Sequence, residues 1–131
     1  MRPSINKAIF TLALAAVAAG CSQQVSYEKD VLPILQNRCQ SCHDGKGEGS
    51  QASGFVLMTH DDLMKGTQYG PVVVPGESLS STLFLMIDHR VDPKIHMPPH
   101  QESDAEGQFA SLSRDEIETI KTWIDQGAKN N

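Results

Sequence analysis

Apolar residues recur at helical intervals soon after residue 26 of the chain. The apolar positions that fall on one helical face are Tyr27, Val31, Ile34, Leu35 and Cys39. Ser26 is placed to cap the start of this helix, since a serine side chain can accept a hydrogen bond from the first turn. Pro33 fits if the regular helix begins near Val31, because proline is tolerated in a first turn. The pattern therefore predicts a first helix whose last turn carries RCQSCH.

The clearest helical pattern lies near the end of the printed chain. Ser113 and Glu116 have the spacing of a capping box, and Leu112 can pack against Ile117 across the start of the helix. The apolar face that this helix presents consists of Ile117, Ile120, Trp123 and Ile124. Gly127 then ends the helix.

Two further short helices are predicted in the middle of the chain. Thr59 and Asp62 indicate a capping box that opens a helix through Lys65, which Gly66 ends. A second helix, capped by Ser78 or Ser80, runs to about His89. Its predicted inward residues are Leu79, Leu83, Met86 and Ile87.

The remaining segments have the composition of loops and extended chain. DGKGEGSQAS (44–53) reads as a plain loop, and GFVLMT (54–59) is a short apolar stretch that is either extended or in contact with the core. GPVVVPG (70–76) reads as an extended segment on the core. Residues 90–111 form a long irregular segment with three prolines, and such loops are often functional. Because every clear element is helical, the predicted fold class is all-α.

The N-terminal residues have the pattern of an export signal. Arg2 and Lys7 precede a twelve-residue apolar run (8–19), which is too short to span a membrane and ends in small residues. VAAGC resembles a bacterial lipobox, in which the cysteine is lipidated. We therefore expect a signal peptide over 1–20, a lipidated Cys21 with a short tether over 21–25, and a folded domain over 26–129.

Charge and composition narrow the possible partners and cofactors. The 131 residues carry a formal net charge of −5, and removal of the signal peptide would lower the charge to −7. This acidic balance argues against nucleic acid as a partner and permits association with a basic protein surface. Only 5% of residues are aromatic, so the thin core would gain from a large apolar cofactor.

The stretch RCQSCH allows three chemistries. Structural zinc needs four ligands, but no second pair of comparable spacing exists, and Pro98 and Pro99 interrupt His96 and His100. A thioredoxin-like dithiol lies at a helix N-terminus after a strand, which the pattern here lacks. C-x-x-C-H is the attachment signature of c-type haem.

The haem interpretation gives each residue of the motif a role. Cys39 and Cys42 would form thioethers with one porphyrin, and His43 would bind the iron. The cysteine count agrees, because a lipidated Cys21 leaves only this pair.

A second iron ligand is expected in HMPPH, whose methionine lies 54 residues after His43. Met97 is the favoured candidate, since its neighbours are polar residues and prolines, whereas Met58, Met64 and Met86 have apolar surroundings typical of core methionine.

Other residues near this segment remain alternatives or have ordinary surface roles. His96 and His100 compete with Met97 as ligands, and His89 is a more distant alternative. His60 is expected at the surface. Arg90 and Lys94 can be considered as partners of haem propionates, although solvated surface charges are the simpler interpretation.

With these residues identified, the chain resembles the c-type cytochromes, and within them the small planctomycete-type haem domains. The resemblance covers about 27–128 and is carried by YEKDVLPILQNRCQSCH, LMKGTQYGPVVVPGES, KIHMPPH and IKTWIDQGA. It implies a cytochrome c-like fold whose first and last helices cross near Trp123. It also implies one covalent haem c on Cys39 and Cys42, with His43 and Met97 as axial ligands.

The function that follows is electron transfer by a single-haem protein rather than enzymatic catalysis. The expected location is the periplasmic face of a bacterial membrane, with a redox partner at or near that membrane. One alternative is a haem enzyme subunit or gas sensor with an open or displaceable sixth ligand. Another is a structural lipoprotein without haem, in which Cys39 and Cys42 form a disulfide.

Overall fold

The computed structural model describes residues 23–99 and 111–131. Five α-helices occur in these ranges: α1 (Leu32–Arg38), α2 (Glu48–Ser53), α3 (His60–Lys65), α4 (Thr82–Ile87) and α5 (Arg114–Asp125). Within the described residues no β-strand forms, and the predicted all-α class is confirmed. No helix in this part of the chain has the length and apolar content needed to cross a membrane.

The first helix begins as the sequence predicts. Ser26 accepts a hydrogen bond from the amide of Lys29 and caps a π-helical turn over Tyr27–Val31. The regular helix α1 follows from Leu32, so Pro33 lies in its first turn. The prediction that RCQSCH lies on the last turn of this helix is wrong, however. Only Arg38 belongs to the last turn, and Cys39 leaves the helical conformation as the C-cap with φ −127°.

The final helix confirms the predicted capping box and inward face. The Ser113 hydroxyl accepts a hydrogen bond from the backbone amide of Glu116, and the Glu116 carboxylate accepts one from the backbone amide of Ser113. The four predicted apolar residues of α5 are buried, together with Leu112. Arg38 at the end of α1 forms an ion pair with Glu116 (3.1 Å), and the Tyr27 ring packs 5.6 Å from Trp123. The first and last helical segments therefore pack together.

Several local predictions are wrong in this middle part of the chain. Residues 44–53 contain a helix, α2, because Gly47 and Gly49 allow close packing and the Ser50 amide bonds to the carbonyl of Cys42. Leu79 is 63% exposed, since Ser78–Ser80 form a 3₁₀ turn and Ser81 is the N-cap of α4. That helix ends at Ile87 rather than near His89.

His60 is also placed differently from the sequence prediction. Its side chain is only 14% exposed, and its ring packs edge-on to Tyr27 at 4.9 Å and to Trp123 at 6.0 Å. A ring nitrogen of His60 lies 2.8 Å from the carbonyl of Ala128. This partly buried histidine therefore links the first residue of α3 to Ala128, beyond the end of α5.

The extended segments cover the core as predicted. Val72 and Val73 are buried, and the amide of Leu83 bonds to the carbonyl of Val72. Phe55 and Leu57, in the segment between α2 and α3, are buried as well. These segments bring their apolar side chains to one cavity.

Candidate haem-binding site

A predominantly apolar cavity of about 380 Å³ lies between the cysteine motif and the proline-rich segment. Its volume falls in the usual range for ligand sites. Cys39, Cys42 and His43 line it from the turn that follows α1, and Met97 lines it from the segment that follows α4. Apolar side chains complete much of the wall: Phe55, Leu57, Val72, Leu83, Met86, Ile87, Pro98 and Pro99.

The cysteine motif is held in a compact turn. The amide of Cys42 bonds to the carbonyl of Cys39 at 3.2 Å, and the amide of His43 bonds to the carbonyls of Cys39 and Gln40, both at 3.1 Å. This turn brings both thiols to the cavity, although it is not part of the regular helix. Both cysteines of C-x-x-C therefore line the cavity from a turn rather than from a helix.

The thiol of Cys39 is kept in its protonated form. Burial raises its pKa to about 12, and the nearby Cys42 and Glu116 act in the same direction. A reactive dithiol requires a lowered pKa, because the thiolate is the nucleophile. The surroundings of Cys39 are therefore opposite to those of a redox-active dithiol.

The imidazole of His43 is buried and has a defined hydrogen-bonding partner. Burial lowers the pKa of His43, and the hydrogen bond to Phe55 offsets part of this effect. Nδ1 lies 3.2 Å from the carbonyl oxygen of Phe55. Since a carbonyl oxygen can only accept, Nδ1 carries the proton in the neutral ring, and Nε2 retains the lone pair that a metal ion needs.

Helix α2 packs against this imidazole. A Cβ at position 49 would lie 2.5 Å from Cε1 and 2.6 Å from Nε2 of His43, so only glycine leaves room for the ring. Ser50, which is buried, donates its hydroxyl to the carbonyl of Phe55 at 2.8 Å. The spacing of the sequence contains no signal for either contact, because both depend on the path of α2.

Met97 is the candidate second ligand that reaches the cavity. It is partly buried against the core, and its amide bonds to the carbonyl of Met86 at 3.3 Å. His96 and His89 instead stack on each other at 4.3 Å, and neither lines the cavity. His100, the other competing ligand, lies outside the described residues, as does Cys21.

The charged and polar residues near the cavity differ from those considered in the sequence. Arg38 and Tyr69 line it, and Tyr69 is 83% exposed. Arg90 pairs with Asp88 and lies over the ring of Phe84, and Lys94 is exposed. Neither of these two basic residues lines the cavity.

The donor set and the cavity fit a covalently attached haem. Two thiols at C-x-x-C spacing, a neutral imidazole and a thioether surround one apolar space, which is the combination that c-type haem uses. The helical fold and this site together resemble those of the c-type cytochromes.

A family comparison agrees with this class of protein. Residues 39–101 match the family model described as Planctomycete cytochrome C. The resemblance to c-type cytochromes is thereby confirmed, and the family implies haem c as the cofactor. Searches of curated proteins and of solved structures returned no match.

Proposed function

We propose that this protein carries electrons through a single haem c. The proposal assigns the thioether bonds to Cys39 and Cys42, and axial coordination to His43 and Met97. The observation that supports it most directly is the convergence of these four side chains on one apolar cavity.

Each of the four side chains has a distinct role in this proposal. The two thiols anchor the porphyrin, so the cofactor stays bound in both oxidation states. The haem, when bound, supplies a one-electron iron couple. His43 offers Nε2 to the metal because Nδ1–H is engaged with the carbonyl of Phe55. Met97 offers an uncharged sulfur, which favours ferrous iron and a relatively high reduction potential.

Electron transfer fits this ligand set better than catalysis. If His43 and Met97 both held the iron, oxygen or peroxide would have no free position on it. Apolar side chains line much of the cavity, and the polarity around a haem is one of the factors that set its reduction potential.

We also propose that the protein works at the periplasmic face of a bacterial membrane. The signal-like residues 1–20 and the lipobox-like VAAGC support export and lipidation of Cys21. Two or more acyl chains anchor a protein stably. The redox partner would then be membrane-associated, and the acidic chain is suited to a basic docking surface.

The visible spectrum of Met97→Ala beside the wild type tests the proposed carrier. Wild type should show a low-spin ferrous haem spectrum that carbon monoxide does not change. It should also show the weak sulfur-to-ferric-iron charge-transfer band. Met97→Ala should lose that band and bind carbon monoxide, because the sixth position is then open. Met58→Ala is the matched control, since Met58 is exposed and lies outside the cavity lining.

Each alternative outcome would indicate a different ligand set or a different class of protein. Persistence of the charge-transfer band in Met97→Ala would reject Met97 as a ligand. Rapid binding of carbon monoxide by the wild type would indicate a haem enzyme or a gas sensor. A purified protein without haem bands would reject the cytochrome proposal and favour a disulfide between Cys39 and Cys42.

A further inference from the structure

The carbonyl of Phe55 receives two hydrogen bonds inside the core. His43 donates from Nδ1 at 3.2 Å, and Ser50 donates from Oγ at 2.8 Å. All three residues are buried, with exposures of 7% for Phe55 and Ser50 and 9% for His43. This carbonyl is therefore shared between the proposed iron ligand and a serine of α2.

The Ser50 hydroxyl is fixed in its donor role. The backbone amide of Gly45 donates to Oγ of Ser50 at 2.9 Å, so the hydroxyl accepts on one side and gives its own proton to Phe55. The amide of Ser50 bonds in turn to the carbonyl of Cys42 at 2.9 Å. The serine thus has a defined position relative to the cysteine motif.

We propose that Ser50 is a positioning residue that tunes the iron ligand His43 through the shared carbonyl of Phe55. This inference rests on the proposed coordination of haem iron by His43. A second donor draws electron density from the carbonyl oxygen, so the oxygen accepts the Nδ1–H of His43 less strongly. A strong hydrogen bond from Nδ1–H makes an imidazole a more basic ligand. Because this bond is weakened, the imidazole of His43 is a weaker electron donor to the metal.

The consequence is that the reduction potential of the haem is higher than it would be without the hydrogen bond from Ser50 to the carbonyl of Phe55. Removal of the Ser50 hydroxyl strengthens the hydrogen bond between His43 and Phe55. The ring gains imidazolate character and stabilises ferric iron, which lowers the potential. The direction of this shift distinguishes electronic tuning from a structural role for the serine.

Redox titration of Ser50→Ala in the haem-loaded protein tests this inference. We expect the equilibrium constant for reduction to fall roughly threefold, which is about 28 mV at 59 mV per tenfold for one electron. The hydrogen-bonded Nδ1 proton of His43 should also move downfield in the proton NMR spectrum of the ferrous protein. An unchanged or raised potential would overturn the proposal.

Ser81→Ala is the matched control for loss of a buried serine. Ser81 is fully buried, its hydroxyl bonds to backbone groups of Val74 and Glu77, and it is not one of the residues that line the cavity. This variant should lose stability with no change in potential. An equal fall in potential in Ser81→Ala would attribute the effect to general destabilisation and reject the role of Ser50.

A second pair of variants covers the case in which Ser50→Ala does not accumulate. Ser50→Thr keeps the hydroxyl and Ser50→Val removes it at nearly equal size, so the valine variant should have the lower potential. Equal potentials in this pair would overturn the proposal. Covalent haem is checked separately by the spectrum of the protein in alkaline pyridine. Absence of covalent haem would reject the proposed function. Covalent haem with no shift in potential would reject only the tuning by Ser50.

Discussion

Residue 49 shows how closely the chain packs around the proposed iron ligand. In an exposed helix, alanine is favoured over glycine by about 1 kcal/mol. In α2 a Cβ at this position would overlap the ring of His43, at 2.5 Å from Cε1. The ring has little freedom to move, because it bonds to the carbonyl of Phe55 and packs 5.3 Å from the Phe55 ring. Gly49 is therefore required by side-chain packing rather than by backbone conformation.

We expect Gly49→Ala to destabilise the protein, against the usual helix preference. Overpacking of this kind costs about 1–3 kcal/mol, and displacement of His43 should weaken the low-spin haem spectrum. Thermal unfolding and the ferrous spectrum measure the two effects. Gln51→Ala, at an exposed position of the same helix, should leave both unchanged. Full stability and an unaltered spectrum in Gly49→Ala would show that the ring moves aside without cost.

At the scale of the elements, ion pairs connect α5 to α1 and to the end of α4. Glu116 caps α5 and also pairs with Arg38 of α1. Burial acts to raise the pKa of Glu116, but hydrogen bonds from Ser113 and Arg38 outweigh it and lower the pKa. Asp88, at the C-cap of α4, pairs with Arg90 and with Arg114 in the first turn of α5.

The contact between α4 and α5 predicts a dependence of stability on acid. The hydrogen bond from Arg90, with further support from Arg114, lowers the pKa of Asp88 below its ordinary value. A carboxyl group whose pKa is lower in the folded state stabilises the fold at pH values above its pKa in the unfolded chain, which is about 3.9. This contribution is lost as the pH falls through the lower pKa of the folded state. Because both guanidinium groups are largely exposed, the contribution is about 1 kcal/mol or less.

Urea unfolding of wild type and Asp88→Asn between about pH 7 and pH 3 measures this contribution. The wild type should be the more stable protein near neutral pH, and the difference should shrink below about pH 4. Glu77→Gln, at an exposed position, should follow the wild-type curve. A difference that stays constant down to pH 3 would show that ionisation of Asp88 does not stabilise the contact.

At the scale of the whole molecule, the start of the described chain lies against its last helix. Gln126 donates to the carbonyl of Gln23 at 3.2 Å and accepts the amide of Val25 at 2.7 Å. If Cys21 is lipidated, very little free chain separates the anchor from the folded domain. The haem domain would then remain close to the membrane surface.

Substitution of the proposed lipid attachment residue tests this arrangement. Cys21→Ala should move the protein from the membrane fraction to the soluble fraction, because no acyl chain can then be attached. Fractionation with an immunoblot measures the distribution, and Ser22→Ala is the neighbouring control that should stay with the membrane. Unchanged retention of Cys21→Ala at the membrane would reject lipidation as the anchor.

The sequence by itself determined the helical class, the caps at Ser26, Thr59 and Ser113, and the candidate haem residues. Each of these signals is contained within a few neighbouring residues, so periodicity, capping preference and the C-x-x-C-H spacing were sufficient to predict them. The same local information also indicated Met97, through the unusual surroundings of that methionine in HMPPH.

Only the tertiary structure decided the features that depend on distant residues. Helix α2 forms in a glycine-rich stretch because its backbone packs on the cysteine turn, and His60 is only partly exposed because Tyr27 and Trp123 pack against its ring. Met97 lines the cavity while its neighbour His96 stacks on His89. The physical reason is common to these cases: contacts between segments far apart in the chain outweigh local preference, and no short pattern of residues encodes them.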